Sequence, residues 1–323
     1  MEECRNCGSH HLRDLGFSGE VAPFFLKRAL NLEIKTSLTQ HPLRLLARWV
    51  CALPQRFFTR VYGSSAYIEM QICLDCTFVQ SKHAFSDEAL GRLYADYRSP
   101  SYNEERIRYE PTYAAIATEV GAGEQEIRNR VGGLTAWLAG KIEREDGFSM
   151  LDFGGSDGRF LPQIEGRKFV FEISNIEPRD GIVKIVNETD LGRYSYVQIA
   201  HVLEHAPEPL RLIQRVSRYV EPGGYLYIEV PQERSDAQLA QLQRTGNGCL
   251  LTIHEHINLY SRKAVDGLLR AAGLEPAAIE AVPMDLGWTS GTVLRVLCRT
   301  EPSEMQRGRL RADDPGYDKS SSA

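Results

Sequence analysis

The sequence predicts an α/β fold in which a doubly wound, mainly parallel sheet occupies the second half of the chain and a smaller unit precedes it. From Met150 onward, short apolar runs alternate with stretches of helical periodicity, and this alternation is typical of βαβ units. The first run ends in a glycine-bearing turn, and two Cys-x-x-Cys pairs lie far upstream of it. Six apolar runs are predicted to be strands: Met150–Phe153, Lys168–Ile173, Val183–Val186, Tyr196–Ala200, Tyr225–Val230 and Val293–Cys298.

The length and composition limit which classes of protein are possible. A chain of 323 residues can hold one catalytic domain and a smaller accessory one. The formal net charge of −5 argues against a nucleic-acid partner, because nucleic-acid-binding domains are usually basic. The polar start predicts no signal peptide, and no apolar run approaches the roughly 18 residues of a membrane span. We therefore expect a cytoplasmic protein.

Changes in pattern divide the chain into four segments. Residues 83–145 space their apolar residues as helices do and form a connecting or lid segment, with Ser86 as a predicted N-cap. The tail is rich in Arg, Asp, Pro and Ser, which predicts disorder. The predicted segments are 1–82 with a helical insert at about 23–62, then 83–145, 146–300 and 301–323.

The two Cys-x-x-Cys pairs are Cys4–Cys7 and Cys73–Cys76. Each pair offers two thiolates from one tight turn, and four thiolates form the closed tetrahedral set of a structural zinc site. Seven cysteines in a chain without an export signal indicate thiols or metal ligands rather than disulfides. We predict structural Zn²⁺, with unrelated buried thiols as the alternative.

The insert at about 23–62 combines large apolar residues with many lysines and arginines. A basic amphipathic pair of helices can lie on an anionic membrane surface or cap an anionic substrate. The same pattern is produced by a helical hairpin that packs on the core and leaves its basic residues in water. The sequence leaves both interpretations open.

The turn after the first predicted strand has the features of a nucleoside site. Asp152 closes the strand, and the turn reads Gly154-Gly155-Ser156-Asp157-Gly158; glycine lets the backbone pass close to a ligand. Glu172 ends the next run, where a carboxylate can accept hydrogen bonds from both ribose hydroxyls of an adenosine. Glu177 is the rival for this role, and Asp190, after the third run, is placed to reach the adenine amino group.

Two classes of nucleotide cofactor use this geometry. A dinucleotide needs glycines spaced G-x-G-x-x-G at a helix N-terminus. This spacing fails in either register, because the required positions fall on Phe153, or on Ser156 and Arg159. S-adenosylmethionine carries a sulfonium and an ammonium group, which acidic residues around the turn attract. The sequence therefore favours S-adenosylmethionine.

Two later motifs make this assignment more specific. One apolar run leads into His201-Val-Leu-Glu204-His205, and a later helix is followed by Pro222-Gly-Gly and a strand that ends in Val-Pro231. This succession resembles the class I S-adenosylmethionine-dependent methyltransferases over roughly residues 150–300. The resemblance implies a Rossmann-like methyltransferase sheet, with His201 on the methionine side of the cofactor.

The segment His254-Glu255-His256, which precedes a Tyr-Ser helix start, adds a narrower resemblance. With the cysteine pairs, it is similar to the zinc-containing sugar C-methyltransferases, which methylate a nucleotide-linked keto-deoxysugar. The resemblance implies that His256 is the base and Glu255 its partner, and His254 is the fallback. The alternative is a His–Glu cluster that only fixes a loop.

The same resemblance predicts four substrate contacts: Tyr97, Ser101, Tyr102 and Tyr260. Two departures leave the acceptor open, since Ile253 replaces the family's tyrosine and only a polar tail follows Cys298. We expect a small-molecule acceptor, a sugar or sugar-containing metabolite that is anionic or nucleotide-linked and is methylated at carbon or oxygen. The alternatives are a methyltransferase-like scaffold that has lost catalysis and, less favoured, an RNA methyltransferase.

Overall fold

The computed structural model of the protein describes residues 2–32, 59–62, 65–246 and 251–301. The first elements form an antiparallel sheet in which the third strand pairs with the first, second and fourth. These elements are β1 (Leu12–Val21), α1 (Pro23–Leu30), β2 (Thr59–Tyr62), β3 (Ser65–Cys73) and β4 (Val79–Ser81).

The predicted helical insert is only partly helical. Pro23–Leu30 forms α1, but Thr59–Tyr62 is a strand that pairs with β3, so the helical prediction is wrong there. Residues 33–58, which carry most of the predicted helix pair, lie outside the described residues. The predicted tail lies outside them as well, from residue 302 onward.

The apolar face of α1 points into the protein. Phe24, Phe25 and Leu26 are buried, and Arg28 forms an ion pair with Glu105 at 2.6 Å. This part of the insert therefore belongs to the core and offers no apolar surface to a membrane. None of the described helices is long and apolar enough to cross a membrane.

Residues 83–145 contain helices, as the spacing of their apolar residues predicts. The side chain of Ser86 accepts a hydrogen bond from the N–H of Ala89 and so caps the first helix. Residues 128–132 form a π-helical turn, a type of turn that is frequent near functional sites. The helices are α2 (Asp87–Tyr94), α3 (Pro100–Tyr109), α4 (Glu124–Ile127) and α5 (Gly133–Leu138).

The second half of the chain contains all six predicted strands and three that were not predicted, of which the longest is Pro276–Asp285. This strand contains two prolines and is largely exposed, so it lacks the buried pattern that identifies a strand. In chain order the elements are β5 (Ser149–Phe153), β6 (Arg167–Phe171), β7 (Ile182–Ile185), β8 (Tyr194–Ala200), α6 (Pro209–Val216), β9 (Val220–Pro231), α7 (Asp236–Thr245), β10 (Leu251–Ile253), β11 (Asn258–Leu259), α8 (Arg262–Ala272), β12 (Pro276–Asp285) and β13 (Ser290–Arg299).

The large sheet has the strand order β12-β13-β9-β8-β5-β6-β7. Strands β5 to β9 run parallel, whereas β13 is antiparallel to β9 and β12 is antiparallel to β13. The order changes direction between β5 and β8, and ligands bind at such switch points, outside the carboxyl ends of the strands.

The prediction of a doubly wound sheet is wrong for one half of this sheet. Helix α6 connects β8 to β9, and α8 lies between β9 and β12 in the chain, but the connections at 154–166 and 172–181 contain no helix. Both connections are short and contain glycine and proline, which do not favour helix interiors. The sheet is therefore α/β and mainly parallel, without a crossover helix after β5 or β6.

The smaller sheet takes strands from both halves of the chain. Its order is β10-β1-β3-β4-β11, with β2 on β3. Strand β10 runs parallel to β1, and β11 runs antiparallel to β4. The boundary predicted at residue 82 therefore separates strands that share one sheet, because the chain returns to the N-terminal unit after β9.

The two faces of the large sheet bury different groups. On one face, α6 and α8 pack with the cysteine pairs over Leu151, Ile199 and Ile228. On the other face, Trp137 of α5 packs near Tyr227. One continuous apolar core thus joins the cysteine pairs to the large sheet.

Candidate active site

The turn after β5 has a backbone that suits glycine. Gly154, Ser156 and Gly158 have positive φ angles of 73°, 58° and 78°, in the left-handed region that favours glycine. A Cβ atom at Gly158 would lie 2.7 Å from Cδ1 of Ile182, and one at Gly154 would lie 3.1 Å from Cγ2 of Val202. The turn therefore has little room for side chains of its own.

Glu172 holds this turn from the next strand. Its carboxylate accepts hydrogen bonds from the N–H of Ser156 at 3.1 Å and from the N–H of Ser174 at 2.8 Å. A carboxylate can accept about four hydrogen bonds, so acceptor sites remain for ribose hydroxyls. The rival Glu177 is exposed, and so is Asp190.

Asp152 lies beneath the turn rather than on its surface. It is 2% exposed, and a Cβ atom at Gly155 would lie 2.2 Å from its Cγ. Burial raises the pKa of Asp152 to about 7, against the opposing effects of Arg130 and Gln198. Asp152 therefore supports the turn from the inside.

His201 marks the end of β8 with a second unusual backbone. Its φ angle is 55°, its Nε2 lies 3.1 Å from Glu229, and its Nδ1 lies 3.2 Å from Glu204. Burial favours the neutral ring, but the two carboxylates outweigh it and raise the pKa of His201. Glu229 also accepts hydrogen bonds from Arg295 at 3.0 Å and from the hydroxyl of Tyr227 at 2.6 Å.

The predicted cofactor residues share one edge of the sheet. Strands β5 to β8 are parallel and adjacent, so the turn, Glu172, Asp190 and His201 all follow carboxyl ends. A turn with little side-chain bulk and a carboxylate with free acceptor sites suit an adenosine. These residues therefore fit S-adenosylmethionine.

A second group of side chains lies beyond the end of β8. Glu204, His205 and His256, here called the imidazole cluster, each offer one atom able to bind a metal, and these atoms lie within 4.8 Å of one another. Glu204 and His205 come from the turn after β8, and His256 comes from the segment between β10 and β11. The rings of His205 and His256 meet edge to face, with 4.8 Å between their centroids.

The pairing of His256 with Glu255, which the sequence predicts, is absent from the structure. The carboxylate of Glu255 accepts hydrogen bonds from Arg106 and, at 2.8 Å, from the hydroxyl of Tyr97. Nδ1 of His256 pairs with Glu233 instead. The chain bends at His254 and Glu255, and the two neighbouring side chains meet different partners.

His254 lies outside the imidazole cluster. Its side chain is 58% exposed, and its Nδ1 is 3.9 Å from Glu110. The three consecutive residues 254–256 thus face three different surroundings. The structure leaves His256 as the histidine of this segment that belongs to the cluster.

The two rings of the imidazole cluster differ in their pKa values. Burial lowers the pKa of His205. Burial acts in the same direction on His256, but the carboxylate of Glu233, with Glu204 and Glu255, outweighs it and raises the pKa of His256 to about 9. Without a further ligand, His205 is therefore the neutral ring at neutral pH and His256 the charged one.

The four predicted substrate contacts separate in the structure. The hydroxyl of Tyr97 donates a hydrogen bond to the carboxylate of Glu255. Ser101 is exposed on α3. Tyr102 and Tyr260 are fully buried, and Tyr260 packs edge-on against the ring of Phe78 at 5.1 Å. The substrate roles of Tyr102 and Tyr260 stay predictions, and the burial of both side chains argues against direct contact with a substrate.

Sequence reasoning missed the residues that hold the cluster in place. Nδ2 of Asn258 donates to the carbonyl oxygens of Leu203 at 3.0 Å and Ala206 at 2.7 Å, which ties the two contributing segments together. The hydroxyl of Tyr94 lies 2.7 Å from Nδ1 of His205. Neither residue belongs to a recognisable motif, so the sequence carries no signal for these contacts.

A cavity of about 150 Å³ opens beside His256. Apolar side chains of the smaller sheet form one wall, and two charged side chains lie at its margin. Ligand pockets usually measure about 300–1,000 Å³, so this cavity is smaller than a usual ligand pocket. It is lined by Met70, Glu233, Arg234, Leu251, Thr252, Ile253, His256, Ile257 and Leu259.

The four cysteines of the two pairs, here called the thiolate cluster, meet as predicted. Sγ of Cys4 lies 3.7 Å from Sγ of Cys76, and Sγ of Cys7 lies 3.7 Å from Sγ of Cys73. Zinc–sulfur bonds of about 2.3 Å in a tetrahedron place sulfurs about 3.8 Å apart, so the spacing fits zinc. A Cβ atom at Gly267 of α8 would lie 2.6 Å from Cβ of Cys76, which shows how closely the cluster packs on α8.

Of the three remaining cysteines, Cys298 alone belongs to the described residues. Cys298 is buried in β13, and burial raises its pKa to about 12. Cys51 and Cys249 lie outside the described residues.

Comparison with known proteins identifies the class of enzyme. Residues 124–279 match the family model described as "Methyltransferase domain". No curated protein sequence matches the chain. This match, with the strand order and the cofactor edge, makes the protein an S-adenosylmethionine-dependent methyltransferase.

Solved structures of methyltransferases resemble the chain at low identity. Magnesium protoporphyrin IX methyltransferase from Synechocystis PCC 6803, with S-adenosylhomocysteine bound, is 15% identical, with 66% of this chain and 100% of that chain covered at a TM-score of 0.44. 1,6-Didemethyltoxoflavin-N1-methyltransferase from Burkholderia thailandensis is 17% identical, with 63% and 91% covered at a TM-score of 0.41. Similarity at this level carries no argument about the acceptor.

Proposed function

We propose that the protein transfers the methyl group of S-adenosylmethionine to a small molecule, a sugar or sugar-containing metabolite, at carbon or oxygen. The observation that carries this proposal is the position of the imidazole cluster. It begins three residues after His201, at the end of β8, and its member His256 also lines the cavity. A methyl acceptor in that cavity would therefore meet His256.

The turn and Glu172 would hold the adenosine part of the cofactor. The positive-φ turn lets the backbone approach the nucleoside, and Glu172 would accept hydrogen bonds from the ribose hydroxyls. His201 would line the methionine part. The bound cofactor supplies an electrophilic methyl group, so the protein's task is to orient the acceptor in line with it.

The imidazole cluster would handle the acceptor's proton. Methylation of a hydroxyl, or of a carbon next to a carbonyl, requires a proton to leave, and positioned imidazoles are the commonest groups for this task. Glu233 orients His256, and the backbone carbonyl of Glu255 orients His205 at 3.1 Å. The proposal therefore assigns the proton to the pair His205–His256 rather than to His256 with Glu255.

The sugar class rests on the resemblance of the motifs and on the chemistry of the cavity. Apolar residues of the smaller sheet suit the faces of a deoxysugar ring, while Glu233 and Arg234 suit its polar or anionic groups. The thiolate cluster would hold a structural Zn²⁺, which agrees with the zinc-containing sugar C-methyltransferases. A closed set of four thiolates would take no part in the reaction.

Binding of the methyl donor can be tested without knowledge of the acceptor. Isothermal titration should show binding of S-adenosylmethionine, and Glu172→Gln should weaken it about 10-fold, the loss of one or two charge-assisted hydrogen bonds. Glu177→Gln is the matched control, because Glu177 is exposed in the same loop. Binding that is absent in the wild type, or equal in both variants, would contradict the assignment.

The acceptor class needs a separate experiment. Purified protein is incubated with S-adenosylmethionine and a panel of nucleotide-linked keto-deoxysugars and free phenolic or amine metabolites, and methylated products are identified by mass spectrometry. We expect a mass gain of one methyl group on a sugar. Products confined to the other acceptors would refute the sugar class.

A further inference from the structure

Glu204 is a buried carboxylate whose acceptor sites are not filled. Its side chain is 0% exposed, and neither oxygen accepts a hydrogen bond of good geometry. Nδ1 of His201 lies 3.2 Å from Oε1, and Nε2 of His205 lies 4.0 Å from it. A buried charge is costly unless it is paired or binds a metal; His201 offsets part of this cost, and the unfilled acceptor sites can take a further cation.

The two histidines of the imidazole cluster are oriented as metal ligands are. Nδ1 of His205 donates to the backbone carbonyl of Glu255 at 3.1 Å, and Nδ1 of His256 pairs with the carboxylate of Glu233. Metal-binding histidines almost always donate their second ring nitrogen to a carbonyl or carboxylate, which fixes the tautomer and the ring. In both rings this arrangement leaves Nε2 for a cation.

We propose that the imidazole cluster binds a divalent transition-metal cation through a carboxylate oxygen of Glu204 and Nε2 of His205 and His256. The three ligand-type atoms already lie within 4.8 Å of one another. Bonds of about 2.1 Å from the metal to nitrogen and oxygen require ligand atoms roughly 3.0–3.4 Å apart. Side-chain rotations that move the ligand atoms by roughly 1 Å would therefore complete the site. Two imidazoles and one carboxylate are a known set for Fe²⁺, Mn²⁺ and Zn²⁺.

This site differs from the thiolate cluster in chemistry and in access. Four thiolates close a tetrahedral ion completely, whereas three protein ligands leave positions open. The open positions would accept an oxygen of the acceptor, and an ion bound to that oxygen would lower the pKa of the proton that must leave. In this metal-bound form both Nε2 atoms would be ligands, so the proton would pass to water instead of to the imidazole pair. This role rests on the proposed function, whereas binding of the ion does not.

Mn²⁺ is a probe that separates the two clusters, because it prefers nitrogen and oxygen ligands over thiolates. The full-length protein is freed of exchangeable metal with a chelator and titrated with Mn²⁺, and free Mn²⁺ is followed by electron paramagnetic resonance. We expect one bound Mn²⁺ per chain. Glu204→Gln and His256→Ala should each weaken binding at least about 10-fold, since removing groups that only orient ligands already costs that much.

His254→Ala is the matched control, because His254 is a neighbouring histidine with an exposed side chain outside the cluster. It should bind Mn²⁺ as the wild type does. Circular dichroism and zinc content show whether Glu204→Gln is folded, and the more exposed His256→Ala replaces it if it is not. Wild-type protein that binds no Mn²⁺, or equal binding by wild type, Glu204→Gln and His256→Ala, overturns the proposal.

The same samples keep this proposal separate from the proposed function. S-adenosylmethionine binding is measured by isothermal titration in the metal-free wild type, which should bind the donor as tightly as the Mn²⁺ form within about 3-fold. Donor binding without Mn²⁺ binding refutes the metal site alone. Mn²⁺ binding that depends on Glu204 supports the metal site whether or not the donor binds.

Discussion

The thiolate cluster has four members and the imidazole cluster has three, but the two differ in ligand type, in spacing and in access. Four sulfurs at 3.7 Å spacings surround a closed position. Glu204, His205 and His256 are more widely spaced, and His256 borders a cavity. A closed soft site can only stabilise, whereas an open site of imidazoles and a carboxylate can act on a substrate. Ligand type and access, more than the number of ligands, distinguish a structural site from a site that can act on a substrate.

The two clusters are joined by one stretch of chain, residues 254–267. Its beginning carries His256, and its end carries Gly267 of α8, which packs on the thiolate cluster. Between them, the hydroxyls of Ser261 and Thr77 lie 2.5 Å apart. Loss of order at the thiolate cluster should therefore reach the imidazole cluster.

The largest effect is expected from Cys76→Ser. Loss of one thiolate opens the proposed zinc site, and loss of a metal is among the few changes that cost more than about 4 kcal/mol of unfolding free energy. Zinc content, measured by inductively coupled plasma mass spectrometry, should fall below one ion per chain, and the melting temperature should drop.

The control for this change is Cys298→Ala, which removes another buried cysteine that lies outside the thiolate cluster. This variant should retain zinc and lose only about 1 kcal/mol of unfolding free energy, the usual effect of a point substitution. If both variants lose the same stability and neither loses zinc, the thiolate cluster is merely a group of buried thiols.

An intermediate effect is expected from His256→Ala. Turnover should fall about 10²–10⁴-fold, the range for removal of a group that handles a proton, while donor binding and the melting temperature change little. The measurement is product formation with the acceptor found by the panel, together with isothermal titration of the donor.

His254→Ala distinguishes the two histidines that the sequence could not separate. Because His254 is exposed and outside the cluster, its loss should reduce turnover much less than the loss of His256. The opposite order would move the proton-handling role to His254.

The smallest effect is expected from Asn258→Ala, which loosens the imidazole cluster without removing a member. Two buried carbonyls lose their donor, which should cost about 1–3 kcal/mol of unfolding free energy. Turnover should fall through a lower kcat with an unchanged zinc content. Asn129→Ala is the control, because Asn129 makes one exposed hydrogen bond to the backbone of Asp285. This substitution should cost about 0.5 kcal/mol of unfolding free energy. Equal losses of unfolding free energy in both variants would contradict the role of Asn258.

Much of the large sheet could be predicted because its central strands β5, β8, β9 and β13 are largely buried and so appear as continuous apolar runs. β12 could not, since an exposed edge strand with prolines has no such run. The missing crossover helices could not be predicted either. The sequence shows that a connection follows each strand, but not that the connection lacks a helix. The packing of α5 and of the thiolate cluster shows which groups cover the sheet in place of crossover helices.

By itself, the sequence determined the two cysteine pairs and six strands of the large sheet, because each depends on residues close together in the chain. The tertiary structure decided which carboxylate meets His256, that Tyr102 and Tyr260 are core residues, and that β10 and β11 complete the N-terminal sheet. These depend on contacts between distant segments. Burial and side-chain direction at such contacts follow from the packing of the whole chain, and no local pattern records them.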